Sequence, residues 1–86
     1  MLYSIYIVEC SDSTLYVGCT NNLERRLFQH NNSKKGAHYT KTRRPVLLKY
    51  SESFTTLKGA RRRETELKKL KRVDKLNLIK IKTAVK

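Results

Sequence analysis

Residues 15–30 read LYVGCTNNLERRLFQH, and the fold follows from how this stretch is divided. Leu15-Tyr16-Val17 is β-branched and aromatic, which predicts a short strand. Gly18 follows, where the backbone can bend or let another group approach closely. Thr20, Asn21 and Asn22 are N-cap residues, so a helix is expected from about Leu23, with Glu24 in its first turn suiting the helix dipole. At about 100° per residue, Leu23, Arg26, Leu27 and His30 fall within an arc of roughly 100°, while Glu24, Arg25 and Gln29 point elsewhere. A short helix buries its Leu23/Leu27 face against a sheet, so a guanidinium and an imidazole one turn apart are carried beside the core. Charge buried there requires a partner. Read alone, the pair also fits a snorkelling arginine and a histidine at a helix end.

The strand that should receive this helix lies upstream. Tyr3 to Cys10 (YSIYIVEC) is apolar on both faces, Tyr6 and Val8 on one and Ile5 and Ile7 on the other, as expected of a central strand. Ser11-Asp12-Ser13-Thr14 is a turn cluster, so the first two strands are expected to form an antiparallel hairpin with Tyr6 and Tyr16 close to opposition. Cys10 and Cys19 fall near the two strand ends and, on that reading, as neighbouring reduced thiols.

Downstream, residues 31–44 (NNSKKGAHYTKTRR) read as a long basic loop. Its Lys34, Lys35, Lys41, Arg43 and Arg44 are candidates for phosphate contact, and Tyr39 for base stacking. Pro45 should open a third strand from Val46 to Phe54. Thr55 or Thr56 caps a helix expected from Leu57 to Leu70, on which Leu57, Ala60, Glu64 and Leu67 lie within roughly 80°. Glu64 thus sits in the middle of an apolar face and needs a cation, either Arg26 or a metal. Asp74 should cap a last helix, from Lys75 to about Thr83, with Leu76, Ile79 and Lys80 as its buried stripe, before a frayed end over 81–86.

The whole chain narrows the function classes. Its 86 residues make one small domain, and 20 Lys+Arg against 7 Asp+Glu give a net charge of +13, which predicts a polyanionic partner, nucleic acid first. The N-terminus has no basic n-region, and no apolar run approaches the length needed to span a membrane, so a cytoplasmic location is expected. Cys10, Cys19, His30 and His38 lack the close pairing of a zinc site. The acids do not cluster, which disfavours a two-metal centre.

Taken together, Ser4-Ile5-Tyr6, Tyr16-Val17-Gly18, Arg26, His30 and Glu64 resemble, in order and spacing, the GIY-YIG nuclease superfamily. The likeness runs from about Tyr3 to Ile79 and is nearest to small stand-alone bacterial members related to the nuclease domain of the UvrC repair protein. Ser4 replaces the first glycine of the family motif. Cys19 stands where some relatives carry a lysine three residues after the second motif's tyrosine, and Asn77 is the one candidate for a late family asparagine. The resemblance implies an α+β fold, a three-stranded antiparallel sheet flanked by helices. It implies an endonuclease hydrolysing DNA phosphodiesters with one Mg2+ or Mn2+ on Glu64, in a repair or recombination setting. Tyr6, Tyr16, Arg26 and His30 would be catalytic, with Gly18 structural to the motif. On the helix after the third strand, Arg61, Arg62 and Arg63 join the loop cations as expected nucleic-acid contacts. With no separate reading element, specificity would come from nucleic-acid structure or a protein partner. The alternative is a weakly active or inactive nucleic-acid-binding module of the same fold.

Overall fold

A computed structural model describes residues 2–32 and 38–84. The elements run β1 (Tyr3–Glu9), β2 (Leu15–Thr20), α1 (Leu23–Asn32), α2 (His38–Lys41), β3 (Leu47–Phe54), α3 (Leu57–Lys69) and α4 (Arg72–Ala84). The three strands form one antiparallel sheet in the order β2-β1-β3, so the strand with two apolar faces is central, as expected. The predicted α+β class holds.

The hairpin turn is built by Asp12, whose Oδ1 accepts from the Thr14 backbone N–H (3.1 Å) and hydroxyl (2.6 Å), while Ser13 adopts a positive φ of 69°. The register pairs Tyr6 with Gly18 and Val8 with Tyr16 on one face, and Ile5 with Cys19 and Ile7 with Val17 on the other. β2 runs past the expected end at Gly18 to Thr20, because the pairing with β1 continues to Ser4. This places Cys10 and Cys19 at opposite ends of the hairpin rather than side by side; both are free thiols.

Each face has its own core. Ile5, Ile7 and Val17 pack with Ala60 and Leu67 of α3, with Leu78 and Ile79 of α4 closing over them. Tyr6, Val8, Cys10 and Val46 form the other layer under Leu23 and Leu27 of α1. The helices start where their caps direct: Asn22 Oδ1 accepts from Arg25 N–H at 3.0 Å, and Thr56 Oγ1 from Gly59 N–H at 3.1 Å.

Several expectations are corrected. Residues 31–44 are not one loop. α1 continues to Asn32, and α2 forms over His38–Lys41, too short a helix for periodicity to reveal. Leu57, at the first turn of α3, is exposed rather than part of the buried face. α4 begins at Arg72, so Asp74 lies inside its first turn instead of capping it, and the helix continues to Ala84. Its inner stripe is Leu78 and Ile79, while Leu76 points outward, 39% exposed.

Candidate active site

Among the described residues, the buried polar or charged side chains are His30, Thr40 and Glu64. His30 and Thr40 lie on the α1 face of the sheet, hydrogen-bonded to each other, and Glu64 lies on the α3 face.

On the α1 face the site grows from Tyr6. Its ring projects from the middle of the central strand toward its register partner Gly18. A Cβ at Gly18 would fall 2.9 Å from Tyr6 Cε2 and closer still to Cζ and the phenol oxygen. Glycine is therefore required here for close approach, not for an unusual φ. The Tyr6 oxygen lies 2.7 Å from His30 Nε2, and His30 Nδ1 lies 2.7 Å from Thr40 Oγ1. Burial pushes the Tyr6 phenol up to about 12, against the pull of an Arg26 hydrogen bond and charge. Burial, reinforced by the Arg26 and Arg44 charges, pulls His30 down to about 4. At neutral pH the pair is thus a protonated phenol and a neutral imidazole. Tyr6 then donates to Nε2 and the Nδ1 hydrogen goes to Thr40, with Arg26 donating to the phenol oxygen.

Arg26, half-buried on α1, also donates from Nη1 to Gln29 Oε1 at 3.1 Å, whereas Arg25 is exposed, as the helical wheel requires. Tyr16 lies edge-on to His30, with centroids 5.5 Å apart, and stacks on Tyr39 at 5.8 Å and 22°. The Arg43 guanidinium lies over the Tyr39 ring, 4.0 Å from its centroid. α2 thereby supplies both the lid over Tyr16 and the Thr40 hydroxyl under His30.

On the α3 face, Glu64 is 8% exposed, buried between Ala60 and Leu67 as its spacing predicted. The cations the structure gives it are Arg61, Nη1 to Oε1 at 3.1 Å, and Lys68, Nζ to Oε2 at 3.1 Å. Both sit at i,i+3 or i,i+4 spacings readable from sequence, and neither was among the expected partners, Arg26 or a metal. The Glu64 charge reaches Tyr6 as a small contribution beside burial and Arg26.

The other expected residues divide. Lys41 and Arg62 are exposed on the surface, and Arg61 is exposed apart from its bond to Glu64. Arg43 and Arg44 are half-buried and bonded within the protein. Arg43 pairs with Asp12 at 3.1 Å and donates to the Tyr39 carbonyl at 2.7 Å. Arg44 donates to the His30 and Gln29 carbonyls and so closes the last turn of α1. Tyr39 is exposed, and its ring already stacks on Tyr16 and lies under the Arg43 guanidinium. Lys34 and Lys35 lie outside the described residues. Thr40 and Lys68 were not anticipated; only Lys68, four residues after Glu64, left a sequence signal.

Among the described residues no three His, Cys, Asp or Glu side chains converge as a metal cluster. A single buried carboxylate suits a hard divalent ion that keeps most of its own water. None of the described helices is long and apolar enough to cross a membrane.

Comparison with known proteins agrees with this fold. The family model described as the GIY-YIG catalytic domain matches residues 2–77. A UPF0213 protein of Syntrophus aciditrophicus is 54% identical over 76 residues, covering 88% of this chain and 87% of the relative. Two solution NMR structures share the fold. A UPF0213 protein of Bacillus halodurans has a TM-score of 0.62 at 39% identity, covering 95% of this chain and 86% of its own. A protein from E. faecalis has a TM-score of 0.66 at 35% identity, covering 98% and 88%. A match over nearly the whole chain, with relatives this similar along their length, means that the chain belongs to the GIY-YIG family.

Proposed function

We propose that this protein is a divalent-metal-dependent endonuclease that hydrolyses phosphodiester bonds of DNA, in a repair or recombination setting. One observation carries the reading: of the three buried polar or charged side chains among the described residues, His30 and Thr40 are chained to the Tyr6 phenol, and the third, Glu64, faces inward from the helix on the other side of the sheet. A small domain concentrates buried polar groups where chemistry needs them fixed.

Each residue has a task that its environment suits. Arg26 is the fixed cation for charge spreading over the phosphoryl oxygens, and its planar fork can clamp two of them. Tyr6 keeps its proton and serves as an oriented donor, not as a base. His30 is neutral and fully buried, so it holds Tyr6 in place rather than touching substrate. Tyr16, half-buried and edge-on to His30, is the phenol that water and substrate can reach, and it is the candidate to orient the attacking water and take its proton. Glu64 is the residue that would hold Mg2+ or Mn2+. Such an ion, when bound, neutralises developing charge on the phosphoryl oxygens. Arg61, Arg62 and Lys41 supply sequence-independent attraction to the backbone.

Glu64's two ion pairs favour a second reading, a nucleic-acid-binding module whose carboxylate never takes metal. Incubation with supercoiled plasmid and with single-stranded DNA, in Mg2+, Mn2+ or EDTA, separates the two. Cleavage should require metal. Arg26→Ala should lose about 100- to 1000-fold in rate, as removal of one fixed transition-state donor does. Arg25→Ala should cleave like the wild type. Equal losses in both variants would refute the assignment to one helix face, and metal-independent binding with no cleavage of any substrate would leave the binding module.

A further inference from the structure

Glu64 differs from the other buried polar groups of the site in how it is satisfied. His30 and Thr40 bond to each other, with Tyr6 closing the chain, inside the protein. Both carboxylate oxygens of Glu64 are held instead by long side chains from its own helix. The Glu64 side chain is 11% exposed, whereas those of Arg61 and Lys68 are 62% and 54% exposed. The carboxylate is fixed and its two clasps lie in water, where ion pairs are held weakly and compete with other anions. Arg63, two residues from Arg61, shows the opposite arrangement. It is 31% exposed and committed to Glu52 through both Nε and Nη2, and to Glu66 through Nη1.

We infer that Arg61 and Lys68 exchange between Glu64 and the phosphates of a bound nucleic acid, so that the polyanion unclasps Glu64 and raises its affinity for a divalent cation. The inference rests on Glu64 being the metal ligand proposed above. Three features carry it. The oxygens that the clasps occupy are the ones a cation would need. An ammonium and a guanidinium 3.1 Å from those oxygens repel any incoming divalent ion. Finally, an open cleft of about 240 Å³ adjoins Arg61, lined also by Tyr3, Cys19, Thr20, Asn21 and Leu57, which gives a phosphate and sugar room beside the arginine. Coupling between binding sites is reciprocal, so metal must strengthen nucleic-acid binding by the same factor. The bare protein would then hold its metal loosely and complete the site only on substrate.

The test is calorimetric titration of Mn2+ at fixed ionic strength, with and without a single-stranded oligonucleotide, at a temperature where the oligonucleotide stays intact. Wild type should bind Mn2+ weakly alone and at least about fivefold more tightly with the oligonucleotide, the lower end of ordinary coupling. The Arg61→Ala/Lys68→Ala variant should bind Mn2+ tightly without the oligonucleotide and gain nothing from it, and Lys68→Gln alone should fall between. Lys58→Ala/Lys69→Ala removes two charges from the same helix and should behave as wild type, which separates unclasping from a change in net charge. Glu64→Gln sets the background of Mn2+ on the oligonucleotide itself. Glu64-dependent Mn2+ binding that ignores the oligonucleotide, or that the double variant fails to tighten, overturns the inference while the metal reading stands. Absence of Glu64-dependent binding in every arm removes the metal reading and the inference with it.

Discussion

The two faces of the sheet solve the same problem in opposite ways. Under α1, polar groups are buried in a chain, Arg26 to Tyr6 to His30 to Thr40, in which each member is satisfied by the next. Under α3 the core is apolar, Ile5, Ile7 and Val17 against Ala60 and Leu67, and one carboxylate at its margin is satisfied from the solvent side. The α1 face is rigid because undoing any link strands a buried donor or acceptor. The charge on the α3 face can change partners. A site that must hold a phosphate still and also admit a cation needs one face of each kind.

The α3 core should be the most sensitive to truncation. Leu67, fully buried, is expected to cost about 2–5 kcal/mol as Leu67→Ala, read from denaturant unfolding. A much smaller loss would mean that α3 is not a core element and that Glu64 is not held in place.

Next comes the hydrogen-bonded chain. Tyr6→Phe leaves a buried imidazole nitrogen without its donor and should cost about 1–3 kcal/mol. Tyr16→Phe keeps the ring contacts to His30 and Tyr39 and should unfold nearly as the wild type while losing cleavage. If both variants lose stability equally, Tyr16 is another structural link.

The same chain has a pH signature. His30 is held at about 4, below its ordinary 6.5. Between those values the unfolded chain takes up a proton that the folded imidazole refuses, so stability should fall as pH drops from about 6.5 to 4 and be level above. Asp12 is lowered from 3.8, so its contribution is lost only below that window. Unfolding of His30→Asn across the interval should show a shallower slope, and an unchanged slope would place the proton elsewhere.

The smallest effect belongs to the exchangeable charge. Glu64→Gln breaks two pairs whose cations lie in water, each worth about 0–1 kcal/mol, and should change apo stability little. A loss of about 3–5 kcal/mol would make Glu64 one half of a structural ion pair. With metal reading intact, wild type alone should gain melting temperature on addition of Mn2+.

Much of this was legible in the sequence because it follows periodicity. The two apolar faces of Tyr3–Glu9, the shared face of Arg26 and His30, and the inward Glu64 all came from spacing. What was not legible depends on contacts between distant segments. Thr40 reaches His30 from a four-residue helix that no pattern marks. Arg43 and Arg44 look like backbone-binding cations until the fold brings Asp12 to one and the end of α1 to the other. Lys68 was legible at i,i+4 from Glu64, but the apolar face drew attention to a partner across the sheet instead.

The central claim is that both faces serve one phosphodiester-cleaving site. The direct test compares wild type and Glu64→Gln for nicking of DNA in Mg2+ or Mn2+, with binding of the same DNA measured in parallel. Wild type should nick only with metal, and the variant should bind DNA at least as well yet not nick it. A Glu64→Gln protein that nicks at the wild-type rate, or a wild type whose nicking ignores the metal, would contradict it.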